Sequence, residues 1–78
     1  MKKLLEFLIK GITGSDKFEI KESQDGDRIV LDINADSSIL GLIIGKQGTT
    51  IRNIRKIMSI KATLENKLIN VSVSEDSS

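Results

Sequence analysis

The chain has 78 residues and contains neither cysteine nor histidine. A chain of this length suits one small domain, and its composition excludes disulfide bonds, cysteine-based metal sites and histidine-based catalysis. No apolar run approaches the roughly 20 residues that a membrane-spanning helix needs, and the absence of cysteine fits a reducing compartment. We therefore expect a cytoplasmic protein with no membrane contact, no cofactor and no bound metal.

The charges are unevenly distributed along the chain, although the formal net charge is only +1. The segment 37–64 holds five of the twelve basic residues and none of the eleven acidic ones. This segment predicts a cationic patch on an otherwise acidic molecule, as expected for contact with nucleic acid. A solvated helix face without acidic residues would have the same composition, so charge alone leaves both interpretations open. The five basic residues are Lys46, Arg52, Arg55, Lys56 and Lys61.

The first half of the chain predicts one helix followed by a β-hairpin. The apolar residues of the first segment follow the i, i+3, i+4, i+7 spacing of one helical face, and Gly11 and Gly14 are expected to end this helix. Residues 17–21 alternate between charged and apolar side chains, as in a strand with one buried face. Asp25-Gly26 is a strong turn signal, and the alternation in 28–33 predicts the second strand.

Two helices separated by a glycine-bracketed break are predicted next. Asp36 or Ser37 can cap the first of them, because both side chains accept hydrogen bonds from free N–H groups at a helix start. The second helix continues to about Ala62, with Thr49 or Thr50 expected as its cap.

Residues 67–73 alternate as a final strand, and residues 74–78 predict a disordered polar tail. The order is therefore αββααβ in one domain, residues 1–73. Because each helix has one apolar stripe and each strand one apolar face, we expect an α+β fold with three helices on one face of a three-stranded sheet. The strand order within the sheet stays open.

The break between the two helices has the sequence Gly45-Lys46-Gln47-Gly48. Glycine has no Cβ, so its backbone can approach another backbone closely and can adopt positive φ. The following helix presents free N–H groups and the positive end of its dipole at the same place, which favours phosphate. Lys46 adds a full positive charge. A tight helix connection, in which the glycines only make the turn, stays open on spacing alone.

The segment from Ile43 to Ile51 resembles the signature of the KH domain, in which an apolar pair, a G-x-x-G loop and a helix follow in that order. The αββααβ order is similar to the type II, bacterial arrangement. Over residues 1–73 the chain resembles the small stand-alone KH proteins of bacteria, the KhpA family. The resemblance implies an RNA-binding protein whose loop holds about four nucleotides of single-stranded RNA. The RNA-binding residues that it implies are Ile43, Ile44, Gly45, Lys46, Gln47, Gly48, Thr49, Arg52 and Arg55.

The resemblance also implies a role for most of these positions. The two glycines would let the loop contact the sugar-phosphate backbone, and Lys46 would pair with a phosphate. Arg52 and Arg55 would hold flanking phosphates.

The apolar residues near the loop would form a floor under the bases, with Ile33 as a candidate from the strand side. Core packing is the alternative, and it is favoured more for Ile51 than for Ile44. Two positions depart from the family pattern, because Leu42 and Thr49 stand where polar or basic residues often occur. Both departures remove positive charge beside the loop and lower the expected affinity.

The family resemblance further implies a global RNA binder or RNA chaperone that is linked to cell division and envelope control. It also implies a dimer and a second, larger KH-containing partner. The longer helix carries a second apolar stripe, which predicts a self-association or partner surface. A wide core face covered by the N-terminal helix is the open alternative. The stripe consists of Ile57, Ile60 and Leu64.

Two functions therefore stay open, an RNA-binding module and a protein-interaction module with a KH fold whose RNA binding is weak or lost. The intact glycines and Lys46 favour the first. Catalysis is not expected, because the acidic residues cluster as solvated charges and no nucleophile stands beside a plausible base. A nucleotide-binding P-loop is excluded, because Gln47 follows Lys46 where that motif needs Ser or Thr.

Overall fold

The computed structural model describes residues 1–75 and has the predicted αββααβ order. Three helices and a three-stranded sheet form an α+β fold, which confirms the predicted fold class. The last strand includes Ser74 and Glu75, which the sequence pattern assigns to the tail, and residues 76–78 lie outside the described part. The elements are α1 (Lys2–Thr13), β1 (Glu19–Asp25), β2 (Arg28–Ala35), α2 (Ser37–Ile44), a 3-10 turn (Lys46–Gly48), α3 (Thr49–Leu64) and β3 (Leu68–Glu75).

The strand order of the sheet is β1-β2-β3, so β2 is central and β3 is an edge strand. β1 and β2 pair antiparallel and connect directly after Asp25, as predicted for a hairpin. β2 and β3 pair parallel, with Leu31 opposite Val71. Parallel neighbours need a long crossover connection, and α2 and α3 together form it. The start of α2 therefore lies at the same end of the sheet as the end of β3.

The core lies between the three helices and one face of the sheet. β2 alternates strictly, with Ile29, Leu31 and Ile33 buried on the helix side. On the other face the carboxylate of Asp32 accepts a hydrogen bond from Ser72 Oγ at 2.9 Å, so that face is polar. Each helix contributes one apolar stripe to the core. The buried helix residues are Leu5, Ile9, Leu40, Ile43, Ile51, Ile54, Met58 and Ala62.

Two helix ends differ from their predicted positions. α1 runs through Gly11 and ends before Gly14, which has φ 67° and donates its N–H to Lys10 O at 2.8 Å. A glycine inside a helix costs about 1 kcal/mol relative to alanine without ending the helix, so Gly11 alone is no stop signal. α3 continues beyond Ala62 to Leu64.

Candidate nucleic-acid interface

The connection between α2 and α3 has a backbone that requires glycine at its first position. Gly45 has φ 76° and ψ 176°, a conformation that is essentially restricted to glycine. A Cβ at this position would lie 2.6 Å from Thr50 Cβ and 3.0 Å from Thr50 N. Because Thr50 packs directly against Gly45, the fold itself demands glycine here, independently of any ligand.

The rest of the loop is a 3-10 turn that contains two more residues at positive φ. Gln47 has φ 57° and Gly48 has φ 74°. The N–H of Gly48 donates to Gly45 O at 3.2 Å, and the N–H of Thr49 donates to Lys46 O. The side chains of Lys46 and Gln47 are exposed, so the turn presents a cation and an amide to solvent.

α3 begins without a side-chain cap. Its N-cap residue is Gly48, and no side chain within the described residues accepts a hydrogen bond from the first turn. The prediction that Thr49 or Thr50 caps this helix is therefore wrong. Thr49 is the first helical residue, and the Thr50 side chain packs against Gly45 instead. No side-chain acceptor therefore occupies the first turn of α3, and the positive end of its helix dipole lies beside the loop, where an anion is favoured.

The apolar residues predicted to lie under the bases are mostly in the core. Ile43 and Ile33 have no exposed surface, so neither touches a base in this conformation; Ile43 instead anchors α2 to the core. Ile51 is only 7% exposed, in agreement with its favoured core role. Ile44 is half-buried next to the loop. Leu42, which the family resemblance does not place among the contact residues, is 51% exposed. It lies off the buried stripe of α2, so helical periodicity alone predicts its exposure.

The two arginines predicted to hold phosphates differ in their contacts. Arg52 is exposed near the start of α3. Arg55 donates a hydrogen bond from Nε to Val71 O at 3.1 Å, which ties α3 to the edge strand β3. This bond uses one of the five N–H donors of the guanidinium, so Arg55 joins the two elements and still has donors for a phosphate.

One member of the cationic segment has an acidic partner. Lys61 Nζ lies 3.3 Å from Glu65 Oε2, and both side chains are about half exposed. Such an exposed pair one helical turn apart contributes about 0.3–0.5 kcal/mol. The basic residues near the loop, here called the loop-proximal cationic patch, are Lys46, Arg52, Arg55 and Lys56.

The second apolar stripe of α3 is exposed. Ile57, Ile60 and Leu64 are 42%, 64% and 77% exposed, so the N-terminal helix does not cover them, and the interpretation as a wide core face is wrong. Ile60 and Leu64 border a shallow and mainly apolar depression. The predicted partner surface is therefore available on the molecule.

Residues 1–75 offer neither a metal-binding cluster nor a membrane-spanning helix. No group of three or more His, Cys, Asp or Glu side chains in this range could hold a metal ion. No helix in the same range is both long enough and apolar enough to cross a bilayer.

Sequence comparisons extend over nearly the whole fold. A family model described as "KhpA/KhpB, KH domain" matches residues 2–73. The RNA-binding protein KhpA of Chlamydia caviae is 31% identical over 77 residues, which cover 97% of this chain and 99% of the relative. The protein of the same name from Clostridium acetobutylicum is 31% identical over 74 residues, with coverages of 94% and 99%. The RNA-binding protein KhpA of Chlamydia trachomatis is 27% identical over 77 residues, which cover 97% of this chain and 99% of the relative. No solved structure matches the chain.

The family match and the fold agree. The matched range begins with α1 and reaches into β3, so it contains every helix of the structure and the loop between α2 and α3. It also contains the whole loop-proximal cationic patch. The chain belongs to the KhpA/KhpB family of KH-domain proteins.

Proposed function

We propose that this protein binds single-stranded RNA through the loop Gly45–Gly48 and the groove between α3 and the edge strand β3. The observation that carries the proposal is the uncapped start of α3 beside a loop, Gly45–Gly48, in which three residues have positive φ. The curated relatives are named RNA-binding proteins, which supports the same function.

The contacts with the RNA backbone follow from charge and backbone geometry. Lys46 and Gln47 extend from the turn into solvent, so the lysine pairs with a phosphate and the amide of Gln47 hydrogen-bonds the sugar or a base. Gly48 has nothing within 4 Å of the position that a Cβ would occupy, which leaves room for close approach of the phosphate backbone. Thr49 and Arg52 extend the same surface along the first turn of α3.

The bases lie over aliphatic surface rather than between aromatic rings. The chain has two phenylalanines and no tryptophan or tyrosine, so it lacks the stacking platform that other single-strand binders use. Ile44, which immediately precedes the loop, offers half-buried apolar surface there. A single domain of this kind binds weakly, and two copies acting together raise the affinity through avidity.

The test is RNA binding by a variant with an acidic loop, Lys46→Asp with Gln47→Asp. Aspartate tolerates the positive φ of position 47, so the turn keeps its shape while its charge is reversed. We expect the variant to lose most of its affinity for a short unpaired oligoribonucleotide, and wild-type affinity to fall as salt rises. Binding of the variant as tight as that of wild type would show that the loop is not the site.

A matched control variant replaces one lysine and one glutamine by aspartate at positions outside the loop. Lys2→Asp with Gln24→Asp alters the net charge equally, at the first residue of α1 and near the end of β1. Both positions are exposed. We expect this control to bind RNA much more tightly than the loop variant, because the two differ only in where the charge lies.

The exposed apolar stripe of α3 favours a second function, association with a second copy of the chain or with a larger KH-containing protein. Three large aliphatic side chains on one helix face are costly to leave in water and are typical of an interface.

We include in the proposal the roles that the family resemblance implies, namely RNA chaperoning in the cytoplasm and a link to cell division and envelope control.

The association is tested by measuring the mass in solution of Ile60→Glu. We expect this variant to be a monomer and to remain folded, because Ile60 is 64% exposed and contributes little to the core. Ile60→Val, which keeps the apolar surface, is the matched control and retains the oligomeric state. A folded Ile60→Glu variant with an unchanged oligomeric state would exclude this face as the interface.

A further inference from the structure

One face of α3 follows the edge strand β3 from the loop to the far end of the helix. Arg55 marks this face, because its Nε is bonded to Val71 O. Positions 52, 55, 59 and 63 recur at the spacing of one helical stripe, and Ser59 and Thr63 line a pocket together with the first residues of β3. The face of α3 along which we propose the RNA to lie therefore extends past Arg55 to this pocket at the end of the helix.

The pocket at the far end of this groove has the chemistry of a phosphate site. Its volume is about 200 Å³, and it lies where α3 ends and β3 begins. Two basic residues, two hydroxyl residues and one asparagine are among the residues that line it, and no acidic residue is. Within the described residues, neither cation is in an ion pair. The polar lining residues are Arg28, Ser59, Thr63, Lys67 and Asn70.

The positions of the charges along the groove suit a continuous strand. From Arg52 to Thr63 the helix rises about 16 Å, at about 1.5 Å per residue. Arg55 stands between these two positions and keeps guanidinium donors that its bond to Val71 does not use. A strand that leaves the loop along β3 thus meets Arg52 and Arg55 before it reaches Lys67.

We propose that the pocket lined by Arg28, Ser59, Thr63 and Lys67 is a second phosphate subsite for the same RNA strand. This inference rests on the proposed function, because the strand must first be held at the loop. It assigns the protein a longer footprint than the four or so nucleotides that one G-x-x-G loop holds. Ile69, an apolar lining residue on the helix side of β3, contacts the sugar or base that follows the phosphate.

The experiment compares two unpaired oligoribonucleotides of one repeated base, one of about four nucleotides and one about twice as long. For wild type we expect the longer oligomer to bind about ten-fold more tightly and with a steeper salt dependence. Arg28→Gln with Lys67→Gln is expected to remove this gain while leaving the affinity for the short oligomer unchanged. The slope of log affinity against log salt for the longer oligomer should fall by about 0.7 for each phosphate that the variant no longer neutralises.

The matched control is Lys3→Gln with Lys21→Gln, which removes the same charge from α1 and from the opposite edge strand β1. This control keeps the length-dependent gain if the pocket is a subsite. Equal reduction of the gain in both variants would overturn the proposal, because net charge would then explain it. Equal affinity of wild type for both lengths would also overturn it and would leave the loop site intact.

A measurement on the unmodified protein keeps the test independent of how the variants fold. The longer oligomer should shift the backbone amide signals of Thr63, Lys67 and Ile69, and the short one should shift only signals around the loop. Signals at the pocket that stay still with the longer oligomer would overturn the subsite. Signals at the loop that stay still with both oligomers would overturn the proposed function itself, so the two failures are distinguishable.

Discussion

The two helices on either side of the loop begin in opposite ways. α2 starts at Asp36, whose Oδ1 accepts hydrogen bonds from Ile39 N at 3.0 Å and from Ser38 Oγ at 2.7 Å. α3 starts at Gly48, with no side chain bonded to its first turn among the described residues. One helix start is thus occupied by a fixed carboxylate of the chain, and the other is open.

The comparison distinguishes a helix start that the chain caps with its own carboxylate from a helix start that is proposed to bind RNA. The Asp36 carboxylate satisfies donors of α2 and complements the helix dipole, so α2 is stabilised without any ligand. The donors of α3 lie beside the exposed Lys46, and a phosphate from outside can occupy the place that a carboxylate has in α2. The chain therefore lacks the stabilisation of a cap at the point where it is proposed to bind RNA.

The largest expected effect is on stability, which we expect alanine to lower more at Gly45 than at Gly48. Gly45→Ala places a Cβ against Thr50 in a conformation restricted to glycine, and we expect a loss of about 3 kcal/mol in the free energy of unfolding. Gly48→Ala meets no neighbouring atom and carries only the cost of a left-handed φ, about 1–2 kcal/mol. Urea unfolding of both variants measures the difference. Equal losses would contradict a structural role specific to Gly45.

The second expected effect concerns the charge at the start of α3. Gly48→Asp introduces a carboxylate where the phosphate is proposed to bind, and Gly48→Asn introduces the same shape without the charge. Both residues tolerate a left-handed φ. We expect RNA affinity to fall about five-fold more for Gly48→Asp than for Gly48→Asn, from repulsion of about 1 kcal/mol between exposed charges. Equal affinities, measured by titration at low salt, would place the phosphate elsewhere.

Much of the fold is predictable from local patterns. The periodicity of each segment predicts the element order, and Asp25-Gly26 predicts the hairpin that joins β1 to β2. The parallel pairing of β2 with β3 is not predictable in this way, because it depends on how α2 and α3 return the chain across the sheet. The position of Asp36 as N-cap was one of two predicted alternatives, and the structure selects it.

The candidate site is less predictable from the sequence than the fold, because the contacts and burial of its residues depend on the tertiary structure. A Ser or Thr before a helix is typical of a cap, yet Thr50 packs against Gly45 and leaves the start of α3 open. Adjacent isoleucines look equivalent in the sequence, but a rotation of about 100° per residue buries Ile43 and leaves Ile44 partly exposed. The bond from Arg55 to the edge strand joins residues that are far apart along the chain.

The smallest expected effect concerns the capped start of α2 and its pH dependence. The pKa of Asp36 lies below its ordinary value of 3.8, first because the N–H of Ile39 donates to the carboxylate and next because the hydroxyl of Ser38 does. A carboxyl whose pKa is lowered by folding stabilises the folded state above its ordinary pKa, and this stabilisation is lost as pH falls through the lowered value.

Asp36→Asn keeps the shape of the cap and removes the charge. We expect the thermal unfolding midpoint of wild type to exceed that of Asp36→Asn at neutral pH by only a few degrees or less, because the carboxylate is exposed. The gap should begin to narrow as the pH falls below 3.8 and should close once the pH is below the lowered pKa of Asp36, where the wild-type carboxyl is neutral as well. Calorimetry of the two proteins across this pH range measures the difference between their unfolding midpoints. A gap that persists unchanged in acid would mean that the charge of Asp36 does not stabilise α2, and the contrast with the open start of α3 would then concern hydrogen bonding alone.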